Sequence, residues 1–97
     1  MTLRQRQPRE RDEKHLAYIR SLPCCICGGI DTEAAHLRTA SLAHGKQHTG
    51  MAEKPSDKWA LPLCNKHHRE QHSMNELAFW KQYNIDPFML AITLRER

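Results

Sequence analysis

The sequence lacks any long hydrophobic run. No apolar stretch approaches the roughly 18 residues that indicate a transmembrane helix, and residues 1–13 are too polar for a signal peptide. No internal repeat is found either. We therefore expect a cytoplasmic protein without a membrane partner. In that reducing compartment its four cysteines would serve as metal-binding thiolates rather than form disulfides.

The chain is also short. A domain of 97 residues buries only about 60 to 65% of its unfolded surface, so its stability is marginal unless a metal or disulfide adds to it. The formal net charge of +4 has the sign expected of a protein that binds a phosphate backbone, although many basic proteins bind no nucleic acid. We predict a basic flexible arm over residues 1–11 and one domain over 12–97. For the arm, contact with DNA and plain solvation are equal alternatives.

Two pairs of metal-ligand residues stand at zinc-binding spacing. Cys24 and Cys27 form a Cys-x-x-Cys motif followed by Gly28, which accepts the positive φ that such a tight turn requires. Cys64 and His67 are three residues apart in a predicted helix and therefore lie close together. The four residues predict a closed, tetrahedral Cys3His site for a structural Zn²⁺. A redox role for the Cys-x-x-Cys motif is disfavoured because no βαβ pattern accompanies it.

A second pair of histidines follows in the same predicted helix. His68 and His72 are four residues apart, on a face that the zinc ligands do not use. Two imidazoles without further protein ligands leave coordination positions open for water and substrate oxygens, as a catalytic metal requires. His36, at the end of a predicted strand, is the candidate general base because an imidazole can accept a proton near neutral pH. The alternative is a structural or exposed histidine.

The remaining pattern predicts an α+β fold. Asp12 is a plausible N-cap and Pro23 a helix stop, and Asp86-Pro87 starts a last helix. A Ser73-x-x-Glu76 capping box suggests that another helix begins there. The predicted elements are a helix over 12–21, strands over 32–37 and 59–63, a helix from Cys64 to about His72, and two C-terminal helices. Core packing is the expected role of the apolar residues Leu77, Phe79, Trp80 and Tyr83, and of Cys25.

Residues 38–58 show little periodicity. A loop of this length in so small a domain is more often functional or disordered than structural. Contact with a polyanion and a solvated charged loop are equal alternatives for it. The basic residues and histidines of this loop are Arg38, His44, Lys46, His48, Lys54 and Lys58.

The order of these motifs resembles that of the HNH, or ββα-metal, endonucleases. The resemblance covers residues 24–72, from Cys-x-x-Cys through Ala-Ala-His-Leu to Leu-Pro-Leu-Cys-x-x-His-His-x-x-x-His. It is greatest with small phage- and prophage-type members, which include recombination-associated nucleases. The resemblance implies a zinc-stapled treble-clef core with flanking helices and hydrolysis of DNA. The partners it implies are DNA and phage or host recombination or packaging proteins.

The resemblance also implies individual roles. His36 would be the general base, and His68 and His72 would hold a divalent ion, which could be Mg²⁺, Mn²⁺, Ni²⁺ or Zn²⁺. Arg38 follows the base by two residues and could clamp a phosphate. Asp57 stands near the position of the family's middle Asn and could orient the His36 ring. The structural zinc ligands would be Cys24, Cys27, Cys64 and His67.

One departure from the family pattern affects the metal. Many members place a metal-binding Asp or His directly before the base, where this chain has Ala35. Either the ion keeps two protein ligands, or a residue such as Glu33 or Asp57 supplies a third. The same departure favours a second reading of the whole chain. In it, the zinc scaffold displays a basic surface for nucleic acid or a protein partner and catalyses nothing.

Overall fold

A computed structural model describes residues 11–41, 43, 45–46 and 56–96 of the chain. The predicted α+β class is confirmed, because this part holds a two-stranded sheet and four α-helices. Its elements are α1 (Glu13–Ser21), β1 (Thr32–His36), a 3-10 helix (Asp57–Trp59), β2 (Ala60–Cys64), α2 (Asn65–Ser73), α3 (Glu76–Gln82) and α4 (Pro87–Arg95). Within the described ranges, no helix has the length and apolar character to cross a bilayer.

Two of the four described α-helices begin at the predicted capping residues. The Asp12 side chain accepts a hydrogen bond from an amide in the first turn of α1, and Asp86 does the same for α4, with Pro87 at the first helical position. The predicted capping box is wrong. Ser73 is still the last residue of α2, and Asn75 caps α3 with a 3.0 Å bond from a first-turn amide.

The β-hairpin is the centre of the fold. β1 and β2 are antiparallel, with Thr32 opposite Cys64 and His36 opposite Ala60. The second strand starts one residue later than predicted, because Trp59 closes the 3-10 helix. The pairing brings the end of β2, and with it the start of α2, beside the start of β1.

Alternate residues of β1 face two different layers, as strand geometry requires. Ala35 is fully buried in the larger core, where it joins Leu61 and the predicted core aromatics Phe79 and Trp80. Leu77, also expected in the core, is 47% exposed. Ala34 faces the other way and packs in a smaller core with two apolar residues of α1, Leu16 and Ile19. The hairpin therefore lies between α1 on one face and α2 with α3 on the other.

The long loop after β1 is only partly described. Residues 1–10 of the predicted arm and residues 42, 44 and 47–55 of the loop, and with them the predicted contact residues His44, His48 and Lys54, lie outside the described residues. Lys46 fits neither alternative predicted for the basic residues of this loop, solvation or contact with a polyanion. It pairs with Ser41 in an isolated β-bridge and is only 2% exposed. Burial lowers the pKa of its ammonium group, while the charge of Glu76 acts in the opposite direction. Lys46 is therefore a buried structural residue.

Candidate metal centre and histidine pairs

Four ligand atoms converge where the Cys-x-x-Cys turn meets the start of α2. The Sγ atoms of Cys24, Cys27 and Cys64 and a ring nitrogen of His67 all lie within 4.8 Å of one another. A tetrahedral zinc ion would hold two sulfurs about 3.8 Å apart and a sulfur and a nitrogen about 3.6 Å apart. The structure has 3.8 Å between Cys27 and Cys64, and 3.7 and 3.2 Å from the sulfurs of Cys24 and Cys64 to His67 Nδ1. These four residues could therefore hold a metal such as zinc.

Local backbone geometry explains the convergence. Gly28 has the positive φ of 77° that the turn requires, and its amide donates to the Cys24 carbonyl at 2.8 Å. The Cys25 amide donates to the Pro62 carbonyl at 3.1 Å, which ties the turn to β2. Cys64 is the N-cap of α2, and its side chain caps no amide of the helix. Its sulfur is thus left to face the metal site.

The pKa values of the two adjacent cysteines of the turn are shifted in opposite directions. Burial disfavours the Cys24 thiolate, but hydrogen bonds from the backbone of Cys27, Cys64 and Ile26 outweigh it and lower the pKa of Cys24 to about 6. Burial raises the pKa of Cys25 to about 12. Cys25 packs against the larger core, in agreement with its predicted role. The turn thus supplies one thiolate for a metal and one neutral thiol for the core.

His68 and His72 lie side by side on α2, apart from the Cys3His set. Their Nε2 atoms are 3.3 Å apart and their ring centroids 4.9 Å apart. Two imidazole ligands on one tetrahedral ion would place their nitrogens about 3.3 Å apart. Both rings border an open pocket of about 300 Å³. Its lining residues are Glu33, His68, Arg69, His72 and Ser73.

Glu33 joins this pair from β1. Its Oε1 lies 2.7 Å from His68 Nδ1, and its Oε2 accepts a 3.2 Å hydrogen bond from the Asn65 amide group. The contact with His68, followed by that with Asn65, lowers the pKa of the Glu33 carboxyl group. Glu33 can reach α2 because it lies on the same face of β1 as the buried Ala35.

His36 lies with Asp57 on the other face of the hairpin. Its Nε2 is 2.9 Å from Asp57 Oδ1, and Asp57 Oδ2 accepts a 2.8 Å bond from the Asp12 amide. The Asp57 carboxylate is almost completely buried, whereas the His36 side chain is 23% exposed. The predicted contact between Asp57 and His36 is therefore present in the structure.

The predicted site residues thus fall into three groups. One is the Cys3His set, the second pairs His68 with His72, and the third pairs His36 with Asp57 on the opposite face of β1. Arg38 belongs to none of them: it is exposed, and its backbone amide is held by the Glu76 carboxylate at 3.1 Å. Both residues considered as a third metal ligand, Glu33 and Asp57, contact a histidine ring instead.

Sequence reasoning missed Arg69 and Asn65. Arg69 lines the histidine pocket, and Asn65 holds the second oxygen of Glu33. Helical spacing could have identified Arg69, because it lies three residues before His72 and therefore beside it on the helix surface. No local signal identifies Asn65, since its partner lies on another element.

Fold and site together define a small α+β domain with a Cys3His group suited to a metal such as zinc. The chain belongs to the family described as "Protein of unknown function (DUF968)", which matches residues 2–96. It is 37% identical over 71 residues to "Uncharacterized protein YdfU" of Escherichia coli (strain K12), an alignment that covers 73% of this chain. The chain spans only about a fifth of that relative, 18% of its length. No solved structure matches it significantly.

Proposed function

We propose that this protein is a metal-dependent endonuclease of the HNH type that hydrolyses phosphodiester bonds in DNA, with a ββα-metal core of treble-clef form stapled by zinc. The observation that carries the proposal is the 3.3 Å separation of the His68 and His72 Nε2 atoms beside an open pocket. A pair of nitrogens at that separation suits one ion and leaves its other positions to water and substrate. The Cys3His set on the same helix would fix the orientation of α2.

Each group of residues would have its own task. His68 and His72 would hold the divalent ion, which supplies positive charge to the scissile phosphate and the leaving oxygen. Arg69, at the edge of the pocket, would bind a phosphate oxygen, and Arg38 would hold the strand further along. The net charge of +4 favours association with such a polyanion.

The HNH resemblance makes His36 the general base, although its ring lies on the face of β1 opposite the His68 and His72 pair. The His36→Ala variant tests this role separately from the metal role of the pair. Asp57 accepts a hydrogen bond from Nε2, so that the proton resides on Nε2 and the lone pair of Nδ1 is the proton acceptor. The buried carboxylate, itself held by the Asp12 amide, would keep the ring in that orientation. Asp57 would therefore be a positioning residue for His36.

The test is cleavage of supercoiled plasmid DNA by the zinc-loaded chain with added Mg²⁺, Mn²⁺ or Ni²⁺. We expect the parent chain to nick the plasmid. The variants His68→Ala, His72→Ala and His36→Ala should not nick it, although each should retain zinc in the Cys3His set. Lys81→Ala is the matched control, because Lys81 is an exposed helix residue outside the pocket. Absence of nicking by the parent chain with every metal would refute the proposal.

Two observations favour the second candidate, a zinc-dependent binding module for nucleic acid or protein. Ala35, where many HNH members carry a metal ligand, is fully buried in the core, and His36 faces away from α2. Metal analysis separates the two candidates. One ion per chain, unchanged in a His68→Ala/His72→Ala double variant, would favour the binding module, whereas a second and easily chelated ion would favour the nuclease.

A further inference from the structure

We propose that Glu33 is a positioning residue for the histidine pair: it fixes the tautomer and the orientation of His68, so that Nε2 of this ring faces the ion. This inference rests on the metal centre of the proposed function. Glu33 would then not be the third metal ligand considered from the sequence. Its carboxylate would instead orient a ligand, His68.

The two nitrogens of the His68 ring have different neighbours. Nδ1 lies 2.7 Å from Glu33 Oε1, while Nε2 lies 3.3 Å from His72 Nε2. An ionised carboxylate can only accept a hydrogen bond, so the ring proton belongs on Nδ1. The lone pair of a neutral His68 is then on Nε2, the atom that faces His72. Glu33 thus selects the tautomer in which His68 can bind a metal together with His72.

The carboxylate itself is held in place. Glu33 pairs with Leu63 in the hairpin, which fixes its backbone beside α2. Its second oxygen accepts a hydrogen bond from the Asn65 side chain at 3.2 Å. Two oxygens with two separate donors define the plane of the carboxylate. Movement of Glu33 to the metal side of the ring would break both contacts.

The first experiment measures metal binding without DNA. The full chain, with zinc in the Cys3His set, is titrated with Co²⁺ or Mn²⁺ by calorimetry. We expect one additional ion in the parent, binding 10- to 100-fold weaker in Glu33→Ala, as is typical when an outer carboxylate of a metal-bound histidine is removed. Glu33→Gln keeps the size and one acceptor oxygen and should recover part of the affinity. His72→Ala should abolish the additional site.

A control substitution tests whether any lost carboxylate has this effect. Glu13→Ala removes a carboxylate that is 84% exposed on α1, and should leave the affinity unchanged. Equal affinity in the parent and Glu33→Ala would overturn the inference while leaving the nuclease proposal intact. A parent chain that binds no additional ion would overturn the inference and the proposed metal centre together.

The second experiment reads the tautomer directly. Nitrogen NMR of ¹⁵N-histidine-labelled chain, with zinc alone, should show His68 protonated at Nδ1, and Glu33→Ala should shift the ring towards a mixture of tautomers. A purely structural effect of the substitution would not move this signal selectively. If His68 carries its proton on Nε2 in the parent, the inference is wrong, whatever the nuclease assay shows.

Discussion

Replacing Cys24 by serine tests whether the Cys3His set holds a stabilising metal, and Cys25→Ser is its matched control. The two cysteines are adjacent, Cys24 buried and Cys25 half-buried, but only the sulfur of Cys24 belongs to the four-atom cluster. The pKa of Cys24, at about 6, makes it a thiolate at neutral pH, whereas that of Cys25, at about 12, keeps it a thiol. A serine hydroxyl cannot replace a zinc-bound thiolate.

The expected loss follows from the ligand count. A structural zinc site contributes about 10 to 16 kcal/mol in small domains, so even the share of one ligand in four is about 2.5 to 4 kcal/mol. The whole domain has about 5 to 15 kcal/mol of stability. Since about 1 kcal/mol shifts the melting temperature of a domain this size by roughly 4 to 8 °C, Cys24→Ser should lower it by at least about 10 °C. Cys25→Ser, which changes one core contact, should cost about 1 kcal/mol.

The assay combines thermal unfolding by circular dichroism with zinc content after dialysis. We expect the parent and Cys25→Ser to retain one tightly bound zinc, and Cys24→Ser to lose most of it. Chelation of the parent, which removes the whole ion, should lower the melting temperature at least as much as Cys24→Ser does. The reasoning fails if both variants keep their zinc and melt within about 5 °C of each other, a spread that a minor packing change explains.

Two further substitutions test carboxylates that accept hydrogen bonds from other segments of the chain. Asp57→Ala should destabilise the fold by about 2 to 3 kcal/mol in urea unfolding, because the Asp12 amide and His36 Nε2 lose their acceptor; an unchanged midpoint would contradict this, and Asp57→Asn should recover part of the loss. Glu76→Ala should cost about 1 to 3 kcal/mol, because Glu76 accepts bonds from the Thr39 amide and hydroxyl. Hydrogen exchange at the Thr39 amide should accelerate in Glu76→Ala, and unchanged exchange would show that Glu76 does not hold this segment.

The four residues that could hold a metal were predictable from sequence, because each pair of them is a local arrangement. The Cys24 and Cys27 spacing depends on one turn, and the Cys64 and His67 spacing on one helical turn. Only the meeting of the two pairs is a tertiary event, and the hairpin pairing supplies it. The caps at Asp12 and Asp86 were predictable for the same reason.

Other features depend on which elements pack together. Ser73 has the spacing of a capping box, but α2 continues through it and Asn75 starts the next helix. Lys46 is charged and lies in a polar loop, yet the fold buries it. The contact of Glu33 with His68 joins a strand to a helix 35 residues later. No local pattern contains that information, since it depends on the face of β1 that α2 covers.

Ala35 stands where many HNH endonucleases have an Asp or His, and the strand face on which it lies explains why an apolar residue suits this position. A side chain at position 35 points towards α2, and so does the side chain two residues earlier, at Glu33. An acidic residue at 35 would have to displace the apolar core formed with Leu61, at the cost of burying a charge. At 33, about 7 Å back along the strand, the carboxylate remains partly exposed and meets His68. The α2 side of the hairpin therefore retains a carboxylate, at a position where its oxygen contacts the histidine.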